Sequence, residues 1–228
     1  MVRAGTRKLH YGALGRRLSW LSLALALASP VVAAERETLR LRDGTELAID
    51  HYPARGQSLI VYLPTGLGRA EGEARLAAAL ADRGMAVWRP DFFEARFLPE
   101  LESTLGEISD DDLVDLLRAA QATRKRVYVM AAARAGLLAI RAATAAAQAK
   151  LPAPAGLILL HPNAYLGAPA PGSDAQYHPA VARVHVPVFV LQPERSPWRW
   201  RVPTLETELR QGGAAVYFQF VPDVRDRF

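Results

Sequence analysis

A hydroxyl, a carboxylate and an imidazole fall within one short segment, at Ser173, Asp174 and His178. Nucleophilic catalysis combines these side-chain types. Their surroundings argue for something plainer. Residues 163–178 are rich in Ala, Pro and Gly, which reads as a solvated loop. His161 follows an apolar run and places an imidazole at a strand end, where ligands bind in open parallel sheets. A structural histidine is the simpler account of it. Asp110, Asp111 and Asp112 present three carboxylates in a row, a cation-binding composition. They also open a helical segment, where acidic residues favour the positive end of the helix dipole. Trp198-Arg199-Trp200-Arg201 combines two residue types enriched at binding hot spots. Packing over a loop explains it equally well. There is no cysteine, so a thiolate nucleophile, a thiolate metal site and a disulfide are all excluded. Neither a metal nor a cofactor is assigned.

The elements that must position these residues alternate in type. Thr38–Arg42 and Glu46–Tyr52 alternate apolar and polar residues around Asp43-Gly44, a strong hairpin signal. Residues 58–63 (SLIVYL) form a continuous apolar run, as in a strand buried on both faces. A helix over 73–83 follows and stops at Gly84, then a strand over 85–89. Ser109 caps the next helix, with Asp112 placed to complete a capping box. Strands are predicted over 126–130, 156–160, 187–192 and 215–221, with helices over 134–150 and from Pro203 to Gly212-Gly213. The pattern is an α/β fold: a hairpin followed by strand–helix units, giving an eight-stranded, mostly parallel sheet with helices on both faces.

The first 34 residues read as a secretory signal. Arg3, Arg7, Lys8, Arg16 and Arg17 precede an uncharged apolar stretch from Leu18 to Val32, and Val32-Ala33-Ala34 fits a cleavage site. The mature domain would then be 35–228, exported and most simply periplasmic, with no membrane span after cleavage. Arg16-Arg17 raises the twin-arginine route, although Ser19 stands where that signal prefers an apolar residue. All five of those basic residues, out of 28, precede residue 35, and none of the 23 acidic ones does. The remaining chain is therefore neutral, with 23 of each. That removes the electrostatic case for nucleic acid as a partner.

An antiparallel hairpin, then parallel strands in this order, resembles the α/β-hydrolase superfamily over nearly all of residues 38–228. Three local matches carry the resemblance. Leu63-Pro64-Thr65-Gly66-Leu67-Gly68 matches the Gly-rich turn that supplies one oxyanion donor in the family. VYVMAAARAGLLAI, residues 127–140, matches the strand, nucleophile elbow and helix, with Ala131, Ala133 and Ala135 at the Gly, Ser and Gly places. A register shifted by one would put Arg134 at the nucleophile place. Pro193-Glu194-Arg195-Ser196 and the residues 222–228 match the loops of the family's acid and histidine. Ser196 stands where the acid belongs and Asp226 where the histidine belongs.

The resemblance thus implies a hydrolase fold with all three catalytic places vacated, at Ala133, Ser196 and Asp226. Alanine at the elbow suggests that the strain of this turn is relaxed. The reading predicts a binding or scaffold protein with a pocket between Thr65, Gly66, Leu67, Ala133, Arg134, His161, Glu194 and Trp198. A protein partner or a small acyl-type ligand would occupy it. The alternative is an active esterase or peptidase whose catalytic residues have moved, with Ser173 and His178 as the candidates.

Overall fold

The computed structural model describes residues 34–67, 71–167 and 173–225. The signal segment before residue 34 and Asp226 lie outside the described residues. The hairpin forms as β1 (Glu35–Arg40) and β2 (Glu46–Tyr52), antiparallel about a turn with Gly44 at φ +88°. Then come β3 (Ser58–Tyr62), α1 (Glu71–Asp82) and β4 (Met85–Pro90). A short helix α2 (Phe92–Arg96) precedes α3 (Asp110–Ala122), β5 (Arg126–Ala132) and α4 (Ala135–Gln148). The chain continues through β6 (Gly156–Leu160), β7 (Val188–Pro193), α5 (Val202–Gln211) and β8 (Val216–Val221).

One eight-stranded sheet results, in the order β1-β2-β4-β3-β5-β6-β7-β8. β2 runs antiparallel to β1 and β4, and every other pairing is parallel. The central strands are buried on both faces, which explains their unbroken apolar runs. One face packs Ile60, Tyr62, Val87 and Met130 against Ala77 and Ala81 of α1. The opposite face packs Val61, Val129, Leu159 and Val190 against α3, α4 and α5, through residues such as Leu113, Leu138 and Leu205.

The acidic start of α3 serves the fold. Ser109 caps the helix, its Oγ accepting from the Asp112 N–H at 3.1 Å. The expected box is not completed, because the Asp112 carboxylate accepts from the Arg96 guanidinium instead. Asp111 pairs with Arg42 at 2.8 Å and Asp110 with Arg141 at 2.7 Å. Asp115 takes both the Arg42 N–H and its guanidinium. Burial would raise its pKa, but the Arg42 bonds prevail and hold it below the ordinary carboxylate value. Arg96 also reaches Asp43 at 2.7 Å, so the hairpin turn is tied to both α2 and α3.

Sequence patterning missed α2, because five residues are too few to show helical periodicity. On either side of residues 168–172, which are not described, Tyr165 and Tyr177 form an antiparallel bridge.

Candidate functional site

Parallel strands end together along one edge of the sheet, and the loops that leave them gather there. The register pairs Ala132 with Leu160 and Leu160 with Leu191. The next residues, Ala133, His161 and Gln192, therefore stand level across β5, β6 and β7. Ala133 donates its N–H to Leu160 O at 3.0 Å, and His161 donates to Leu191 O at 2.8 Å.

The turn from β5 into α4 is a sharp elbow. Its tip is Ala133, at φ +49°, in the left-handed region that non-glycine residues rarely adopt. Arg134 is already helical, at φ −66° and ψ −26°, so the register with Arg134 at the tip does not hold. The relaxed elbow expected from its alanines is also not what forms. The Ala133 carbonyl accepts from Gly136 at 3.1 Å and from Asn163 at 2.8 Å, and these bonds hold the turn in its strained form. The close packing falls to Gly136, where a Cβ would meet Pro162 Cβ at 2.8 Å.

After β3, Leu63 donates to Met130 O at 2.9 Å, and the chain turns through Thr65 and Gly66. Gly66 has φ +75°, and a Cβ there would come within 2.6 Å of the Leu101–Glu102 backbone. Thr65 is buried. Its Oγ1 donates to Glu73 Oε1 at 2.7 Å, and Glu73 Oε2 accepts from Arg89 at 3.1 Å. Asp50 lies 3.9 Å from Arg89. These residues, with Tyr62 and Glu100, line a recess of about 390 Å³ including the space open to solvent. Burial pushes the Tyr62 phenol well above its ordinary pKa, with the nearby Glu73 charge adding to the rise.

Of the pocket residues expected from sequence, Thr65 and Gly66 line this recess; Leu67, Ala133, Arg134, His161, Glu194 and Trp198 do not. Asp50, Glu73 and Arg89 lie on separate elements, and no motif in the sequence links them. The legible signal was Arg89 itself, a guanidinium inside the apolar strand MAVWRP.

Beyond β7, Ser196 is only 2% exposed, and its Oγ accepts from the Trp198 N–H at 3.1 Å. Glu194 is exposed, and its N–H donates to Val221 O at 2.9 Å. Gln192 is 3% exposed, and among the described residues its Nε2 has no hydrogen-bond partner. Trp198 stands 6.1 Å from Tyr165, which meets Tyr177 at 5.0 Å. The Arg201 guanidinium lies 5.6 Å over Tyr165 and 5.7 Å over Trp198, a cation–π arrangement. The WRWR segment thus folds partly onto its own aromatic rings. Trp200 remains 77% exposed, with Arg199 over its ring at 4.7 Å.

Ser173 and Asp174 are both exposed. His178 Nδ1 accepts from the Ala180 N–H at 3.1 Å, which puts the proton of a neutral ring on Nε2. Burial, with Arg141 and Arg183 nearby, lowers its pKa and favours that neutral ring. Neither ring nitrogen is then placed to take a serine proton.

No family model matches the chain, and no curated protein sequence does. Solved structures do match. An esterase of Pyrobaculum calidifontis superposes at a TM-score of 0.66 with 17% identity, over 91% of this chain and 81% of its own. A putative dienelactone hydrolase of Klebsiella pneumoniae superposes at 0.65 with 16% identity, over 86% of this chain and 87% of its own. An esterase of Rhizomucor miehei superposes at 0.65 with 17% identity, over 88% of this chain and 76% of its own. The chain has the α/β-hydrolase fold, and the matched proteins are hydrolases. Among the described residues, no helix is long and apolar enough to cross a membrane.

Proposed function

We propose that this chain is an exported α/β-hydrolase-fold protein that binds a ligand or partner without cleaving it. The observation that carries this reading is the elbow tip. Ala133 takes the left-handed conformation of an elbow nucleophile and offers only a methyl group. A methyl cannot attack a carbonyl, and loss of a serine nucleophile typically costs about 10⁶-fold in turnover. Ser196 supports it as well. The resemblance gives it the place of the family's acid, and it is buried with its oxygen accepting from the Trp198 N–H. Asp226 at the histidine place would leave no imidazole to move a proton.

The pocket would lie over Ala133, Arg134 and His161, between the Thr65-Gly66-Leu67 turn and the Glu194–Trp198 loop. A small acyl-type ligand fits this reading, because such binding depends on shape and backbone donors rather than on the triad. Nothing in the neutral mature composition calls for nucleic acid.

A second reading, relocated catalysis, has one observation in its favour. Thr65, Glu73 and Arg89 form a hydroxyl–carboxylate–guanidinium chain at the recess. Its geometry is that of a nucleophile, a base and a group that orients the base. It contains no imidazole to take the hydroxyl proton. Steady-state turnover of short acyl esters separates the readings. The binding account expects none above background in the wild type. Turnover abolished by Thr65→Ala or Ser173→Ala would establish relocated chemistry.

A further inference from the structure

We propose that Glu35, Glu37 and His51 form a binding site for a divalent metal ion of the zinc class on the outer end of the β1–β2 hairpin. The register builds it. Glu35 lies directly opposite His51 on the antiparallel pair. Glu37 is two residues along β1, and strand side chains alternate, so it shares the face of Glu35. One ligand atom from each of the three residues lies within 4.8 Å of the others.

The same face carries Leu39, Leu47, Ile49 and Trp88 toward the core, so the three polar residues end an apolar row. The Trp88 ring meets the His51 imidazole edge-on, with centroids 6.2 Å apart, and limits how the ring can turn. His51 Nδ1 sits 2.6 Å from Glu37 Oε1, an arrangement in which a metal ion can replace the shared proton.

Charge points the same way. Elsewhere in the domain the carboxylates of Asp43, Asp50, Glu73, Asp110, Asp112 and Asp115 each have an arginine. Among the described residues no lysine or arginine pairs with Glu35 or Glu37. Two like charges on one strand face repel. A dication held by both removes that repulsion and takes the imidazole as a third ligand. Two carboxylates and one imidazole suit zinc, at about 2.0–2.2 Å from each donor atom, with a fourth position left to water. Reaching those distances needs only a small inward closure of side chains that are exposed or half-buried. Spacing along the sequence does not mark the site, because the three ligands come together only through strand pairing.

Calorimetric titration of Zn²⁺ into the untagged protein tests the site. One ion per chain should bind saturably. His51→Ala should weaken binding by roughly tenfold or more, the scale on which zinc sites respond to altered ligand environments. The Glu35→Gln, Glu37→Gln double variant should weaken it by at least as much, with circular dichroism confirming the fold of each. Because the double variant leaves the half-buried imidazole in place, it keeps the test decisive if His51→Ala fails to fold. The control Glu46→Gln, at the other end of β2, should leave binding unchanged. Absence of saturable binding, or binding that survives the double variant, would overturn the proposal.

Discussion

Ala133 and His161 end adjacent parallel strands in the same left-handed conformation, at φ +49° and φ +37°. The Ala133 N–H bonds to Leu160 O, the carbonyl just before His161. The sheet edge therefore turns the chain sharply twice, side by side. A left-handed L-residue costs about 1–2 kcal/mol, so the rest of the fold must hold both turns in place.

That cost makes position 133 a stability probe. Ala133→Gly should stabilise the domain by up to about 1 kcal/mol, as relief of the left-handed strain outweighs glycine's added chain entropy. Ala133→Val should destabilise it, because a β-branched residue tolerates positive φ poorly. Urea denaturation of the two variants checks the order Gly, Ala, Val.

Gly136 should behave in the opposite way. A Cβ there would stand 2.8 Å from Pro162 Cβ, and neither partner is a flexible side-chain end. Gly136→Ala should cost about 1–3 kcal/mol, typical of overpacking. Thermal unfolding measures it; an unchanged or raised midpoint would contradict the packing described at the elbow.

The hairpin tether should fail in acid. The Thr45 N–H, followed by the Arg96 guanidinium, holds Asp43 at a pKa of about 2, down from 3.8. A carboxylate depressed in the folded state binds fewer protons there than in the unfolded chain. Its contribution is therefore complete above the unfolded value and is lost as pH falls from about 3.8 through about 2. Asp115, held low by Arg42, shifts in the same direction. Unfolding midpoints measured from pH 6 to pH 2 should fall for the wild type. Arg96→Met should start lower and fall less, so that the two curves converge in acid.

The fold was legible in the sequence because its signals are local. Apolar runs such as SLIVY, a Gly at the end of α1, Ser109 before α3 and Asp43-Gly44 between alternating strands each act within a few residues. The conformation of the elbow was not legible. Three alanines suggest an unstrained turn, whereas Ala133 keeps φ +49°, held by the bonds from Gly136 and Asn163. The Thr65–Glu73–Arg89 chain and the Glu35–Glu37–His51 group were hidden for a different reason. Each joins separate elements, and spacing along the chain carries no trace of such a meeting.

Processing is open to direct measurement. Export should release a chain beginning near Glu35, where β1 begins and where Val32-Ala33-Ala34 fits signal peptidase. N-terminal sequencing of the exported protein should read Glu-Arg-Glu-Thr. Recovery of the protein with Met1 intact and membrane-bound would contradict export by a cleaved signal.

Ala133→Ser should not restore appreciable hydrolysis, because the new hydroxyl would have no histidine to take its proton. The most direct test of binding without cleavage is labelling of the wild-type protein with a serine-directed fluorophosphonate, followed by mass spectrometry of the intact chain and its peptides. The account predicts an unmodified mass under conditions that fully label an active esterase run alongside. A stoichiometric adduct on any hydroxyl of the domain, Thr65 or Ser173 above all, would contradict it.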